Sequence, residues 1–169
     1  ITGNAAISHT GDALGGAIYS THILQIKGNE NVLLRGNYEH QSGDYRLRSI
    51  YACKDLELSA NAGQKIEIYD SMNTGGNLVL NSNRAGGEIL LSGEYTETDL
   101  LAIKGSAGTT QEITNSRTNT VVGITTLGGG TLSLEHGAIL QTGGFTTTAG
   151  SDAMVRMDNA VLNSSGYEV

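Results

Sequence analysis

The side chains best able to do chemistry are concentrated in residues 36–46, which read GNYEHQSGDYR. This stretch holds two tyrosines, a histidine, an arginine and two acids. Tyrosine combines an apolar ring with a polar hydroxyl at a low cost in conformational entropy, which suits contact with a sugar or a receptor. The alternative is a solvated loop between repeats. The candidate binding residues are Tyr38, His40, Tyr45 and Arg46.

Acids elsewhere in the chain do not form the pattern of a hydrolase or lyase. Such enzymes need paired carboxylates, or acidic calcium ligands with a basic residue beside them. No two acids stand at corresponding positions of successive repeats with a base between them, so no catalytic residue is assigned. A polysaccharide-degrading enzyme remains the alternative. The acids and bases weighed for it are Asp12, Glu39, Asp44, Glu94, Glu97, Asp99, Arg46 and Arg48.

The sequence implies no metal and no cofactor. The four histidines (His9, His22, His40 and His136) lack the spacing of metal ligands. Neither a Walker-type phosphate loop nor a Gly-x-Ser-x-Gly elbow is present. The only cysteine, Cys53, cannot form an internal disulfide, and we expect a small buried side chain beside Ile50 and Tyr51.

Composition narrows the class of protein. The 169 residues include 24 glycines and no proline, 16% are charged, and the net charge is −7. This acidity argues against binding to nucleic acid or to an anionic membrane surface. No apolar run is long enough to predict a bilayer-spanning helix. Because the first residues already lie inside a repeated pattern, we expect a segment of a longer protein.

The apolar residues form short runs typical of β-strands. Each run has four to seven residues, alternating or continuously apolar, and is bounded by Gly, Asn, Asp or Ser. Two-residue Asn-Gly turns are rare, which favours bends between successive strands over tight reversals.

These runs repeat at a nearly constant interval. When the first copy of the repeat is aligned with the second, the matched pairs are Ile18 with Ile50, Tyr19 with Tyr51, Leu24 with Leu56, and Ile26 with Leu58. After a loop that is slightly longer in the second copy, they are Val32 with Ile66 and Leu34 with Ile68. A third, looser copy contains NLVL near residues 77–80 and GEILLSG at residues 87–93. We therefore expect the matched apolar side chains to point into one core.

This repeat of short apolar runs predicts an all-β fold: a right-handed parallel β-helix with three short strands per coil. Coils of this kind stack because no single coil can bury its apolar face alone. The absence of proline fits this fold, because residues inside a strand must donate their backbone N–H groups to the neighbouring strand. A β-sandwich is the rival, but it gives no reason for the repeat. We expect one domain over 1–169, with repeat coils in 1–92, an irregular connection in 93–120 and later coils in 121–169.

Two motifs carry a family resemblance. Residues 15–18 read Gly-Gly-Ala-Ile, which is similar to the tetrapeptide of the chlamydial polymorphic membrane proteins, a family of autotransporter adhesins. That family pairs it with Phe-x-x-Asn; residues 34–37 read Leu-Arg-Gly-Asn, and the second copy ends at Ser71 in place of asparagine. Residues 87–94 and 127–160 resemble its late passenger region. The motif residues are Gly15, Gly16, Ala17, Ile18, Leu34 and Asn37.

The resemblance implies a bacterial surface protein. It suggests an autotransporter passenger at the outer membrane or secreted from a Gram-negative-type bacterium, without membrane insertion by this segment. Its partner would be a host-cell receptor or glycan, or a second copy of the chain. The motifs themselves have a purely structural alternative, in which the glycines turn a corner and Asn37 bonds along the stack. A phage tailspike-like protein and a structural stalk are further alternatives.

Overall fold

The computed structural model describes residues 1–9, 12–28, 30–41, 44–83, 86–96, 98–99 and 110–165. These residues are mostly in β-strands, with almost no helix, so the predicted all-β class is confirmed. None of the helical segments among them has the length and apolarity needed to cross a bilayer.

The strands are short, as the apolar runs predict. The first eight are β1 Ala5–Ser8, β2 Ile18–Ser20, β3 Leu24–Gly28, β4 Val32–Leu34, β5 Tyr38–Gln41, β6 Asp44–Ala52, β7 Leu56–Ala60 and β8 Lys65–Ile68. The others are β9 Ser71–Thr74, β10 Leu78–Leu80, β11 Glu88–Ser92, β12 Thr118–Leu127, β13 Thr131–Glu135, β14 Ile139–Thr147, β15 Met154–Asp158 and β16 Val161–Ser164. Helix α1 spans Thr110–Arg117.

One sheet has five parallel strands in the order β4-β8-β11-β13-β15. Equivalent apolar residues face each other from strand to strand, so they form a continuous row through the sheet. The row consists of Val32, Ile66, Ile89, Leu132 and Val155. Its three inner members are fully buried.

The second sheet combines two such sets of parallel strands with β1 and β5, which extend it beyond β6. In one set β2, β6, β9, β12, β14 and β16 follow one another, and in the other β3, β7, β10 and β12 do. Strand β12 joins the sets because its first half pairs with β9 and its last three residues pair with β10. A register shift in the β12–β14 pairing between Val121 and Ile124 accompanies this change of neighbour.

The register confirms the repeat read from the sequence. All six matched pairs lie directly opposite each other in parallel strands. The third copy also pairs as expected, with Leu78 opposite Leu56 and Ile89 opposite Ile66. Of the predicted core residues, Ile50, Leu56 and Leu58 are fully buried; Ile18, Leu24 and Ile26 are half-buried and pack against the same core.

Two features differ from expectation. Residues 36–46, for which the sequence predicts a loop, include an antiparallel hairpin of β5 and β6, with Glu39 opposite Arg46 and His40 opposite Tyr45. Residues 93–120, expected to be irregular, include α1 and the start of β12. Helix α1 is polar along its length (TQEITNSR), so it has no apolar period that could reveal it. It packs on β6, where the Leu47 N–H donates to Ser116 Oγ at 2.8 Å.

The core register generates a stability prediction. Ile50→Asp places an unpaired charge at a fully buried position, which should lower the free energy of unfolding by at least about 3 kcal/mol. For a chain of this size that corresponds to a drop of about 10 °C in melting temperature. Ile23→Asp is the matched control, since Ile23 is 65% exposed, and it should melt close to the parent. Equal melting of Ile50→Asp and the parent would show that the register is wrong.

Candidate functional site

The double glycine lies against both strands of the hairpin. Gly15 has φ +64°, in the left-handed region, and a Cβ on Gly16 would lie 2.5 Å from the Tyr38 nitrogen and 2.8 Å from the Arg48 carbonyl oxygen. No side chain fits there without moving the backbone. The Gly16 N–H donates to the Arg48 carbonyl at 2.9 Å. The motif therefore lets the chain pack directly on the base of the hairpin.

The inner face of the hairpin carries a buried carboxylate between two arginines. Glu39 accepts a hydrogen bond from the Gly15 N–H at 2.6 Å and from Arg48 Nη1 at 3.1 Å, and Arg46 Nε lies 3.7 Å away. Burial raises the pKa of Glu39, and the nearby arginines and the Gly15 N–H oppose this rise. This cluster fixes the hairpin onto the glycine motif, so we regard it as the support of the site.

The outer face carries aromatic and apolar side chains, which we call the hairpin patch: Ile7, His9, Tyr38, His40 and Tyr45. The rings of His40 and Tyr45 stack with centroids 3.9 Å apart at 10°, and His9 meets His40 edge-on at 6.1 Å. Strand β1 adds Ile7, opposite His40 and 57% exposed. The result is a surface of rings already held in position.

The four predicted binding residues divide between the two faces. Tyr38, His40 and Tyr45 come together in the hairpin patch, because His40 is opposite Tyr45 and two residues from Tyr38. Arg46 lies on the other face beside Glu39. Alternation of side chains along a strand explains the division, which a loop would not impose.

The other motif residues lie in or beside the core. Leu34 is fully buried, and Ala17 donates its N–H to the Ser49 carbonyl at 3.1 Å. Asn37 is also fully buried and bonds to residues before and after it in the stack. Its Oδ1 accepts from Asn4 Nδ2 at 2.9 Å, and its Nδ2 donates to Asp70 Oδ2 at 3.1 Å. Asn37 thus links three successive turns of the chain.

The hydrogen-bond partner of Asn37 in the next repeat is the Asp70 side chain, whereas the offset of the preceding strand predicts Ser71 at this place. Leu34 lies opposite Ile68, yet the Asn37 N–H donates to Asp70 at 3.0 Å. The partner of Asn37 is therefore one residue earlier than the strand offset predicts. Gly36, at φ +70°, lies directly before Asn37, and its N–H donates to the same carboxylate.

Asp70 is the polar centre that sequence reasoning missed. It is 2% exposed and accepts hydrogen bonds from the Gly36 N–H, from the Asn37 N–H and Nδ2, and from Ser49 Oγ at 2.6 Å. Burial raises the pKa of Asp70 although these donors favour its ionised form. A single aspartate at a strand boundary resembles an ordinary turn residue, so no signal in the sequence indicates this role.

Of the remaining candidate acids, Asp99 pairs with an arginine outside the hairpin. Asp99 accepts from Arg35 Nη2 at 3.1 Å, Glu97 lies outside the described residues, and so does the side chain of Asp44. Among the described residues no group of three or more His, Cys, Asp or Glu could hold a metal ion. Cys53, expected to be buried, is half-buried, and its Sγ lies 3.7 Å from the Tyr19 hydroxyl. It follows the end of β6, where the side chain no longer faces the core.

Comparison of the chain with protein-family models, with curated proteins and with solved structures finds no match. The site must therefore be interpreted from its own geometry.

The buried acids generate a pH prediction. An acid whose pKa is raised by folding binds its proton more tightly in the folded chain, so the free energy of unfolding falls as pH rises from about 4 through the raised pKa. Both Glu39 and Asp70 have this direction of pKa shift. We expect a higher melting temperature at pH 5 than at pH 7, and a smaller difference in Asp70→Asn, whose side chain carries no charge.

The control is Asp158→Asn, at an exposed position of β15, which should keep the parent's pH dependence. If the profile of Asp70→Asn runs parallel to that of the parent, titration of Asp70 does not contribute to stability.

Proposed function

We propose that this chain is part of a surface-displayed autotransporter passenger that attaches to host cells through the hairpin patch. In this proposal the parallel strands form a right-handed parallel β-helix with three short strands per coil. The support is the register: strands one repeat apart in sequence lie side by side, as stacked coils would place them. Such stacks are rigid along their axis, which suits presentation of a contact surface.

The observation that carries the binding function is the stacked pair of His40 and Tyr45 beside an exposed isoleucine. Aromatic side chains concentrate binding energy when they are held in place before the partner arrives. The hairpin backbone and the stack hold both rings, so little side-chain entropy is left to lose on binding. The partner would be a host receptor or glycan that accepts ring faces and edges.

The glycine motif supports a structural role for its own residues. Gly15 and Gly16 are buried against the hairpin backbone, with little surface left for a partner. In this proposal the motif shapes the coil and the hairpin makes the contact. This division agrees with the family resemblance in residues 15–18 and 34–37 while assigning binding to a different segment.

The contacts of the buried acids favour binding over catalysis. Glu39 is held by Gly15 and Arg48, and Asp70 accepts four hydrogen bonds. A general acid or base must reach a substrate proton at hydrogen-bond distance. Both groups are nearly inaccessible, at 2% exposure each.

Attachment should depend on the patch tyrosines. We expect Tyr38→Ala combined with Tyr45→Ala to reduce attachment of protein-coated beads to epithelial cells at least about tenfold, since aromatic anchors dominate contact surfaces of this kind. Tyr19→Ala is the control, because Tyr19 is 51% exposed on β2, outside the patch. Both proteins should melt at similar temperatures.

Undiminished attachment of the double variant would place the contact surface elsewhere. Depolymerisation of an acidic polysaccharide by a parent protein that does not attach to cells would favour the lyase alternative.

A further inference from the structure

We propose that a groove on the opposite face of the hairpin binds a carboxylated saccharide. This arginine groove lies between α1 and the neighbouring strands and has a volume of ≈ 400 Å³, within the usual range of small-ligand sites. Its lining includes Arg46, Arg48, Thr120 and Gln141. The proposal stands independently of attachment to cells through the hairpin patch.

The charge of the arginine groove is opposite to that of the whole chain. The chain has a net charge of −7, yet the described residues that line this groove include two arginines and no acid. Among the described side chains, the acidic partner of both is Glu39, which takes one hydrogen bond from Arg48 and lies 3.7 Å from Arg46. Each guanidinium has five N–H donors in a planar fork, a geometry that matches a carboxylate. One buried glutamate cannot occupy all the donors of two guanidinium groups.

The arginine groove also contains an unpaired hydrogen-bond donor. Arg48 is only 7% exposed, and its Nε is buried without a hydrogen-bond acceptor among the described residues. Buried polar groups nearly always have a partner, so a missing one marks a place where an acceptor is expected. A carboxylate entering the groove could supply it after a small shift of the side chain.

Neutral polar groups continue the groove along the stack. Thr120 lies opposite Gln141, and Gln141 lies opposite Asn163, so their outward side chains form a row across three strands. The same three residues line an adjoining depression of ≈ 230 Å³. Neither amide forms a side-chain hydrogen bond with another described residue, which leaves donors and acceptors for hydroxyl groups.

The two parts together indicate the class of ligand. The arginines are suited to a carboxylate, and the row of Thr120, Gln141 and Asn163 is suited to hydroxyl groups. A linear saccharide that contains uronic acid carries both kinds of group. Strands about 4.8 Å apart would present polar groups at regular intervals along such a chain. Nucleic acid fits less well, because the acidic protein would repel its phosphates and the described lining of the row contains no aromatic ring.

Binding of defined oligosaccharides tests the proposal. The probe is a hyaluronan hexasaccharide, with glucuronate carboxylates and no sulfate, measured by titration calorimetry at physiological ionic strength. A neutral hexasaccharide of N-acetylglucosamine and a heparin-derived hexasaccharide are the comparison probes. Arg46→Gln should weaken binding of the hyaluronan hexasaccharide about tenfold, and Gln141→Ala should weaken it to a smaller extent. Arg156→Gln, at an exposed arginine of β15, should bind as the parent does.

Arg46 is chosen over Arg48 because removal of Arg48 would leave Glu39 buried without its closest cation. The variant with both patch tyrosines replaced should bind the hexasaccharide normally, which separates this site from cell attachment. Equal binding by Arg46→Gln and the parent, equal binding of the neutral hexasaccharide, or no binding by the parent would overturn the proposal. Binding of the sulfated probe alone would overturn the assignment to a carboxylate.

Discussion

Parallel pairing between strands one repeat apart is the constraint on which the rest of the structure depends. Each strand donates and accepts backbone hydrogen bonds with the next turn of the chain, so equivalent residues lie opposite each other. Rows such as Val32, Ile66, Ile89, Leu132 and Val155 follow directly. A slip of one residue would turn a whole apolar row outward. Each buried leucine or isoleucine contributes roughly 1.5–3 kcal/mol, which fixes the register.

The hairpin interrupts this regular pairing and needs its own support. Strands β5 and β6 run antiparallel, and the chain must turn back where the rows otherwise continue. Glu39 with Arg48, and Asp70 with Asn37, fill the inner side of this interruption with hydrogen-bonded polar groups. Burying a charged group costs free energy unless the group is well paired. These groups therefore contribute little net stability, and their main effect is to favour one arrangement of the chain.

The hairpin therefore presents two chemically different surfaces on one rigid support. Its outer face offers the stacked rings of His40 and Tyr45, and its inner face offers Arg46 at the mouth of a polar groove. Alternation of side chains along the strand produces this division without any further element. In the two proposals made above, one face contacts a host receptor or glycan and the other binds an acidic saccharide.

The sequence alone determined the repeat, because apolar residues at a nearly constant offset record which strands must share a core. Ile18 with Ile50 and Leu34 with Ile68 could be paired without a structure, and Tyr38, His40 and Tyr45 could be selected by composition. Only the tertiary structure decided that Arg46 leaves this group, that Asp70 replaces Ser71 beside Asn37, and that a polar helix covers β6. These outcomes depend on strand direction and on side-chain contacts distant in sequence, neither of which leaves a periodic signal in the chain.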